Sequence, residues 1–219
     1  RYHSAHGLIL DLKRFKGGNR SFHPGMDDTV TQLRFKPKLI GRTRELSILQ
    51  HVLATTLHKH GNMCFIEGMS GTGKTRLIEE LRSYAYTKSI PFIMGKSFPG
   101  KNKPPYGPIK EALQTYLLFY HSYSGDKKRK IQNKLKIEIG YLGQILTSIV
   151  PEYKEIIGKS PQLINLDNTK ERRRFLITLS RFFCYLANAQ GGLILCLEDL
   201  QWADDGSLDV LLEMIDNIK

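Results

Sequence analysis

Residues 68–75 read GMSGTGKT, and residues 197–205 read LEDLQWADD. The first stretch spaces a glycine, four residues, a second glycine, a lysine and a hydroxyl residue, a pattern suited to holding a polyphosphate. Gly68, Gly71 and Gly73 let the backbone curl until successive N–H groups face one anion-sized hollow. Lys74 brings a mobile point charge to the outer phosphates, and the Thr75 hydroxyl can ligate Mg2+. The second stretch sets Glu198 and Asp199 at the end of the apolar run LILCL, residues 193–197. Burying an unpaired carboxylate is costly, so two adjacent acids there require a cation, and a magnesium ion on a bound triphosphate would supply it.

Such a glycine loop works between a strand and a helix, with the helix dipole aimed at the anion. NMCFIEG, residues 62–68, reads as a short buried strand, and Lys74 to about Thr87 as a helix with Leu77, Ile78 and Leu81 apolar. IPFIMG, residues 90–95, is a second strand and the run from Leu193 a third. The Gly/Pro-rich stretch at 95–108 reads as a loop. Helices are expected over 4–15, over 43 to about 60 with Leu46, Leu49, Leu53 and Leu57 on one face, over 109–123, and over 126–139 with Ile131, Leu135 and Ile139 on one stripe. Asn168 with Glu171 reads as a capping box for a helix running to about Ala189. Ser207 reads as the N-cap of a last helix with Leu208, Leu211, Leu212 and Ile215 inward. Strands alternating with helices imply an α/β fold with a mainly parallel sheet. A strand ending in acids downstream of a P-loop is a Walker B element.

Composition sets the outer bounds. In 219 residues, 41% are hydrophobic and 25% charged, as in ordinary soluble domains. No apolar run is long enough to span a bilayer and no signal peptide opens the chain. Cys64, Cys184 and Cys196 are odd in number and set among apolar neighbours, which suits small buried hydrophobes in a reducing, cytoplasmic compartment. The net charge of +12 is concentrated before residue 141, and residues 141–219 are net acidic. A basic surplus alone selects no partner.

At the two motifs the sequence resembles a known family. LEDLQWADDGSLD (197–209), LIGRTRELSIL (39–49) and GMSGTGKTRL (68–77) are similar to the AAA-type ATPase of the STAND class, the origin-recognition-like domain of large bacterial signalling proteins. The likeness is to multi-sensor chains that join a Ser/Thr protein kinase, this ATPase, a GAF domain and a histidine kinase. RYHSAHGLILDLKRF (1–15) resembles the segment just after the kinase; PPYGPIKEAL, GQIL, VPEYKEIIG and ERRRFLITLSRF follow in the same order.

The resemblance implies a P-loop NTPase three-layer α/β sandwich over 37–219, truncated before the later core strands and lid, with 1–36 as the tail of an upstream kinase-like domain plus linker. It implies ATP and Mg2+ as ligands. Ile40, Gly41 and Arg42 would lie near the adenine side. Gly68, Met69, Ser70, Gly71, Thr72, Gly73, Lys74, Thr75 and Arg76 would surround the phosphates, with Thr75, Glu198 and Asp199 on the metal and Lys74, Glu198 and Asp199 in catalysis. Many members carry aspartate where Glu198 stands, so the division of labour between the two acids stays open. Trp202 and Asp204 belong to the same signature and are expected to pack against the nucleotide-bearing face. The family also places a later strand between the P-loop strand and the Walker B strand. A 219-residue piece without it is expected to fold poorly or hydrolyse feebly.

Other features read more simply. The run KKRKIQNKLK, Lys127 to Lys136, has Ile131 and Leu135 on one side and reads as the solvated face of a helix rather than a nucleic-acid patch. His51, His58 and His60 lack an acid or cysteine to complete a metal set. Arg172, Arg173 and Arg174 read as helix-face cover, and Phe182, Phe183 and Tyr185 as core.

The function expected is an ATP-dependent regulatory switch in a signalling kinase, with the kinase and sensor domains of the same chain as partners and self-association left open. The alternatives are the ATPase of a DNA-binding initiator or transcription regulator, and a nucleotide-binding scaffold that never hydrolyses.

Overall fold

The computed structural model describes residues 5–17, 41–56, 61–100 and 103–217. Of the tail and linker expected over residues 1–36 only 5–17 are described; the rest, with Ile40, Leu57, His58 and His60, lies outside the described residues. The chain divides into two units, Arg1–Lys38 and Leu39–Lys219. The first contains helix α1, Ala5–Lys16.

In the second unit the elements run α2 (Thr43–Thr56), α3 (Lys74–Thr87), β1 (Phe92–Lys96), α4 (Gly107–Ser122), α5 (Gly125–Ile139), α6 (Gly143–Ile149), α7 (Lys154–Ile157), α8 (Asn168–Gln190), β2 (Ile194–Glu198) and α9 (Asp205–Asn217). β1 and β2 pair in parallel from Phe92 opposite Ile194 to Lys96 opposite Glu198. A parallel pair needs a long crossover, and here α4 to α8 supply it.

Alternation along these strands divides the core in two. Ile93 joins the main core with Ile109, Leu113, Tyr116, Leu135, Leu179 and Phe182, and Leu195 and Leu197 pack against it. Phe92 joins Leu53, Ala85 and Ile90 on the opposite side, with Met94, Ile194 and Cys196 packed against that cluster. The sheet is therefore covered by helices on both faces, which is why both strands read as apolar runs rather than alternating ones. The fold is mixed α/β with a parallel sheet.

Several expectations change in detail. The residues expected as the strand NMCFIEG carry no β-ladder: 61–69 form no regular element, and the sheet among the described residues consists of β1 and β2. The cap of α8 is Asp167 rather than Asn168; its side chain accepts from the Lys170 N–H at 3.0 Å, while Glu171 Oε1 accepts from the Leu166 N–H at 3.0 Å. Asp204, not Ser207, caps α9, and Ser207, Val210 and Met214 face inward while Leu208 and Leu212 are exposed. Cys64 is exposed and Cys184 and Cys196 are half-buried, all three as free thiols, so the fully buried setting expected of them is not met. Two helices, α6 and α7, were not foreseen from periodicity, since each is only one or two turns long.

Candidate functional site

The glycine loop enters α3 through backbone that glycine tolerates: Gly71 has φ 80° and Gly73, the residue before Lys74, φ 88°. Lys74 folds back over the loop, its Nζ donating to the Gly68 carbonyl at 2.5 Å and the Met69 carbonyl at 2.9 Å. The Thr72 hydroxyl donates to the same Met69 carbonyl at 2.8 Å. Gly68 permits this closure, since a Cβ there would lie 2.9 Å from Thr72 Oγ1. Ser70 and Thr75 are exposed on the loop and at the first turn.

Arg42, the residue just before α2, approaches the loop. Its guanidinium donates to the Thr72 carbonyl at 3.1 Å and to Glu45 at 2.7 Å, and that hydrogen bond holds the Glu45 carboxyl below its usual range. Gly41 precedes it with φ 75°. Arg76 is taken up on its own helix by Glu79 and Glu80.

The acids stand at the C-terminal end of β2. Glu198 is mostly buried, at 11% side-chain exposure, and its Oε1 has no hydrogen-bond partner. Asp199 takes a left-handed backbone, φ 55° and ψ 45°, which turns the chain sharply out of the strand. The group that meets both acids is Lys96, which the sequence reading did not single out. Its Nζ lies 3.2 Å from Asp199 Oδ2 and 3.7 Å from Glu198 Oε2. The hydrogen bond to Asp199, then the charges of both acids, raise the Lys96 pKa.

One cavity of about 530 Å³ connects these parts. Its walls include Lys74 and Thr75 from the P-loop side, and Glu198 and Asp199 from the β2 side. Asn62 and Cys64 to Glu67 line another wall, and every residue from Leu193 to Gln201 lines the far one. Side chains alternate along a strand, so a cavity touched by consecutive residues meets β2 edge-on, on the edge that β1 leaves free. The donors around it are hard oxygens, Thr75 Oγ1 and two carboxylates, one with an unpartnered buried oxygen. That set fits Mg2+. Among the described residues no cluster of three His, Cys, Asp or Glu forms a separate metal site.

The second half of the signature is structural. Asp204 Oδ1 accepts from the Tyr106 N–H at 2.9 Å and the Ser207 N–H at 3.0 Å, and Oδ2 accepts from the Ser207 hydroxyl at 2.6 Å. It ties α9 to the PPYGP turn. Trp202 is 43% exposed, with Lys103 Nζ 5.9 Å from its ring centroid.

Residues 38–219 match the AAA ATPase domain family. The chain belongs to that family. Two curated relatives align along most of it: hybrid signal transduction histidine kinase G of Dictyostelium discoideum, 27% identical over 94% of this chain, and histidine protein kinase 1 of Candida albicans, 26% identical over 95%. The chain spans only 7% and 9% of their lengths. No solved structure matches it. Among the described residues of this AAA ATPase domain, no helix is long and apolar enough to cross a membrane.

The basic helix α5 buries Ile131, Leu135 and Ile139, while Lys127 and Lys128 stack over Tyr123 and Tyr120 of the same chain. Arg172 pairs with Asp209, and Arg174 with Glu171. These cations are occupied within the domain.

Proposed function

We propose that this AAA ATPase domain is the ATP-binding, ATP-hydrolysing switch of a larger cytoplasmic signal-transduction kinase, of the STAND class. The observation that carries the reading is the single cavity shared by Lys74, Thr75, Glu198 and Asp199. The backbone N–H groups of residues 68–75 and the N-terminus of α3 cradle the phosphates, with Met69, Ser70 and Thr72 contributing main chain. Lys74 leaves the Gly68 and Met69 carbonyls for the outer phosphates. Thr75 and Glu198 hold Mg2+, which supplies charge neutralisation at the phosphate oxygens when bound. Asp199, set off from the strand by its left-handed turn, orients the attacking water. Gly41 and Arg42 lie toward the base, and Arg76, held by two glutamates, braces the first turn of α3.

Residues of β2 and Asn62 and Cys64 to Glu67 line the same cavity. We assign that slot to a further β-strand, which would pair with both and turn 62–67 into the strand that the motif calls for. The kinase and sensor domains of the full chain are the partners that read the switch.

Lys74→Ala is expected to abolish ATP binding in calorimetry, and Asp199→Asn to keep binding while losing turnover. ATP binding in Lys74→Ala as tight as in the parent would refute the assignment.

A further inference from the structure

The acids have a resident cation supplied by the fold. Lys96 is the last residue of β1, in register with Glu198 across the parallel ladder. Register partners in neighbouring strands project to the same face, so the pairing itself carries the ammonium to the acids. Three contacts fix this end of the ladder. The Lys96 N–H donates to Glu111 Oε2 of α4 at 2.7 Å, the Ser97 N–H donates to the Glu198 carbonyl at 3.1 Å, and the Thr115 hydroxyl donates to the Met94 carbonyl at 3.1 Å. On the acid side, Asp199 Oδ1 has Gln201 Nε2 at 3.4 Å, which leaves Oδ2 for Lys96.

We infer that Lys96 is a positioning residue for the acid pair: its ammonium relieves the repulsion between Glu198 and Asp199, steadies the left-handed turn at Asp199, and competes with a divalent cation for the same carboxylates. This rests on the functional reading above and adds a gate to it. The ammonium sits 3.2 Å from Asp199 Oδ2 and 3.7 Å from Glu198 Oε2, so a divalent ion closing on the same carboxylates is repelled by it and weakens its hold. Mg2+ arrival is therefore coupled to movement of Lys96.

The test is Mg2+ titration of the full chain without nucleotide, read by calorimetry and by thermal unfolding. Lys96→Met is expected to lower the unfolding midpoint without Mg2+, to regain it on adding Mg2+, and to bind Mg2+ roughly fivefold tighter than the parent, the worth of one partly solvated charge. Lys96→Arg, which keeps the charge, should match the parent. Adding Glu198→Gln and Asp199→Asn to Lys96→Met should erase the gain. If Lys96→Met does not fold, Lys96→Gln carries the same titration. Equal Mg2+ affinity in parent and Lys96→Met, or a gain that survives neutralising both acids, overturns the inference. Equal Mg2+ affinity alongside ATP binding that still depends on Lys74 would overturn it while leaving the functional reading intact.

Discussion

Asp204 Oδ1 and the Tyr106 backbone N–H lie 2.9 Å apart although 98 residues separate them in the chain. The same carboxylate caps α9, so one side chain holds the helix after β2 against the turn before α4. Tyr106 itself sits in a left-handed conformation, φ 58°, with its ring 4.5 Å from that of Phe175. Removing the carboxylate in Asp204→Ala should cost about 2 kcal/mol in denaturant unfolding, from the lost cap and the stranded Tyr106 N–H.

The same residue predicts a pH signature. Burial raises the Asp204 carboxyl, but hydrogen bonds from the Ser207 hydroxyl and the Tyr106 and Ser207 N–H groups outweigh it and hold the group below its usual range. A depressed folded value means the stabilisation is fully present above the unfolded value, about pH 4, and fades as pH falls through the lower folded value. The stability gap between the parent and Asp204→Asn should therefore narrow only below about pH 4. A gap that narrows near neutrality would contradict this.

Gly95 predicts a packing cost. A Cβ built there would lie 1.8 Å from the Pro108 carbonyl oxygen, so α4 rests directly on the β1 backbone. The close approach is backbone against backbone, which cannot yield by a rotamer change. Gly95→Ala is expected to destabilise the domain by about 3 kcal/mol and to loosen the Lys96 end of the ladder. Unfolding indistinguishable from the parent would show that the strand and helix do not touch in this way.

Thiol labelling separates the cavity's two walls. Cys64 is exposed, whereas burial, and then the charge of Glu198, pushes the Cys196 thiol up to about 12. Because the thiolate is the reactive form, alkylation near pH 8 should modify Cys64 at least about tenfold faster than Cys196. Comparable rates, followed by peptide mapping, would mean that β2 is not packed as described.

How far these features were legible follows from whether their cause is local. The P-loop, its helix and the apolar strands β1 and β2 can be read because spacing and periodicity set them within a few residues. α3 runs from Lys74 to Thr87 as its pattern implies. The segment 62–68 misled because a strand needs a partner, and an apolar run does not say whether one lies alongside. The inward face of α9 misled because Leu208 and Leu212 look like core while Val210 and Met214 are the ones the main core accepts. Lys96 was missed because the ladder joins strands about a hundred residues apart, and register across such a crossover leaves no local mark. A lysine ending a strand pattern, in a chain whose other strand ends in two acids, was the one available hint. Asp204 was visible as a signature residue, but its partner at Tyr106 depends on the fold closing.

The measurement closest to the centre is the Mg2+ dependence of ATP affinity, followed by calorimetry in the parent, in Lys74→Ala and in the double variant Glu198→Gln, Asp199→Asn. If the glycine loop and the acids serve one nucleotide and one metal, ATP binding is lost in Lys74→Ala, and the gain from Mg2+ falls by about tenfold or more in the double variant. A double variant that keeps the full Mg2+ gain would mean that the two motifs do not act on the same ligand.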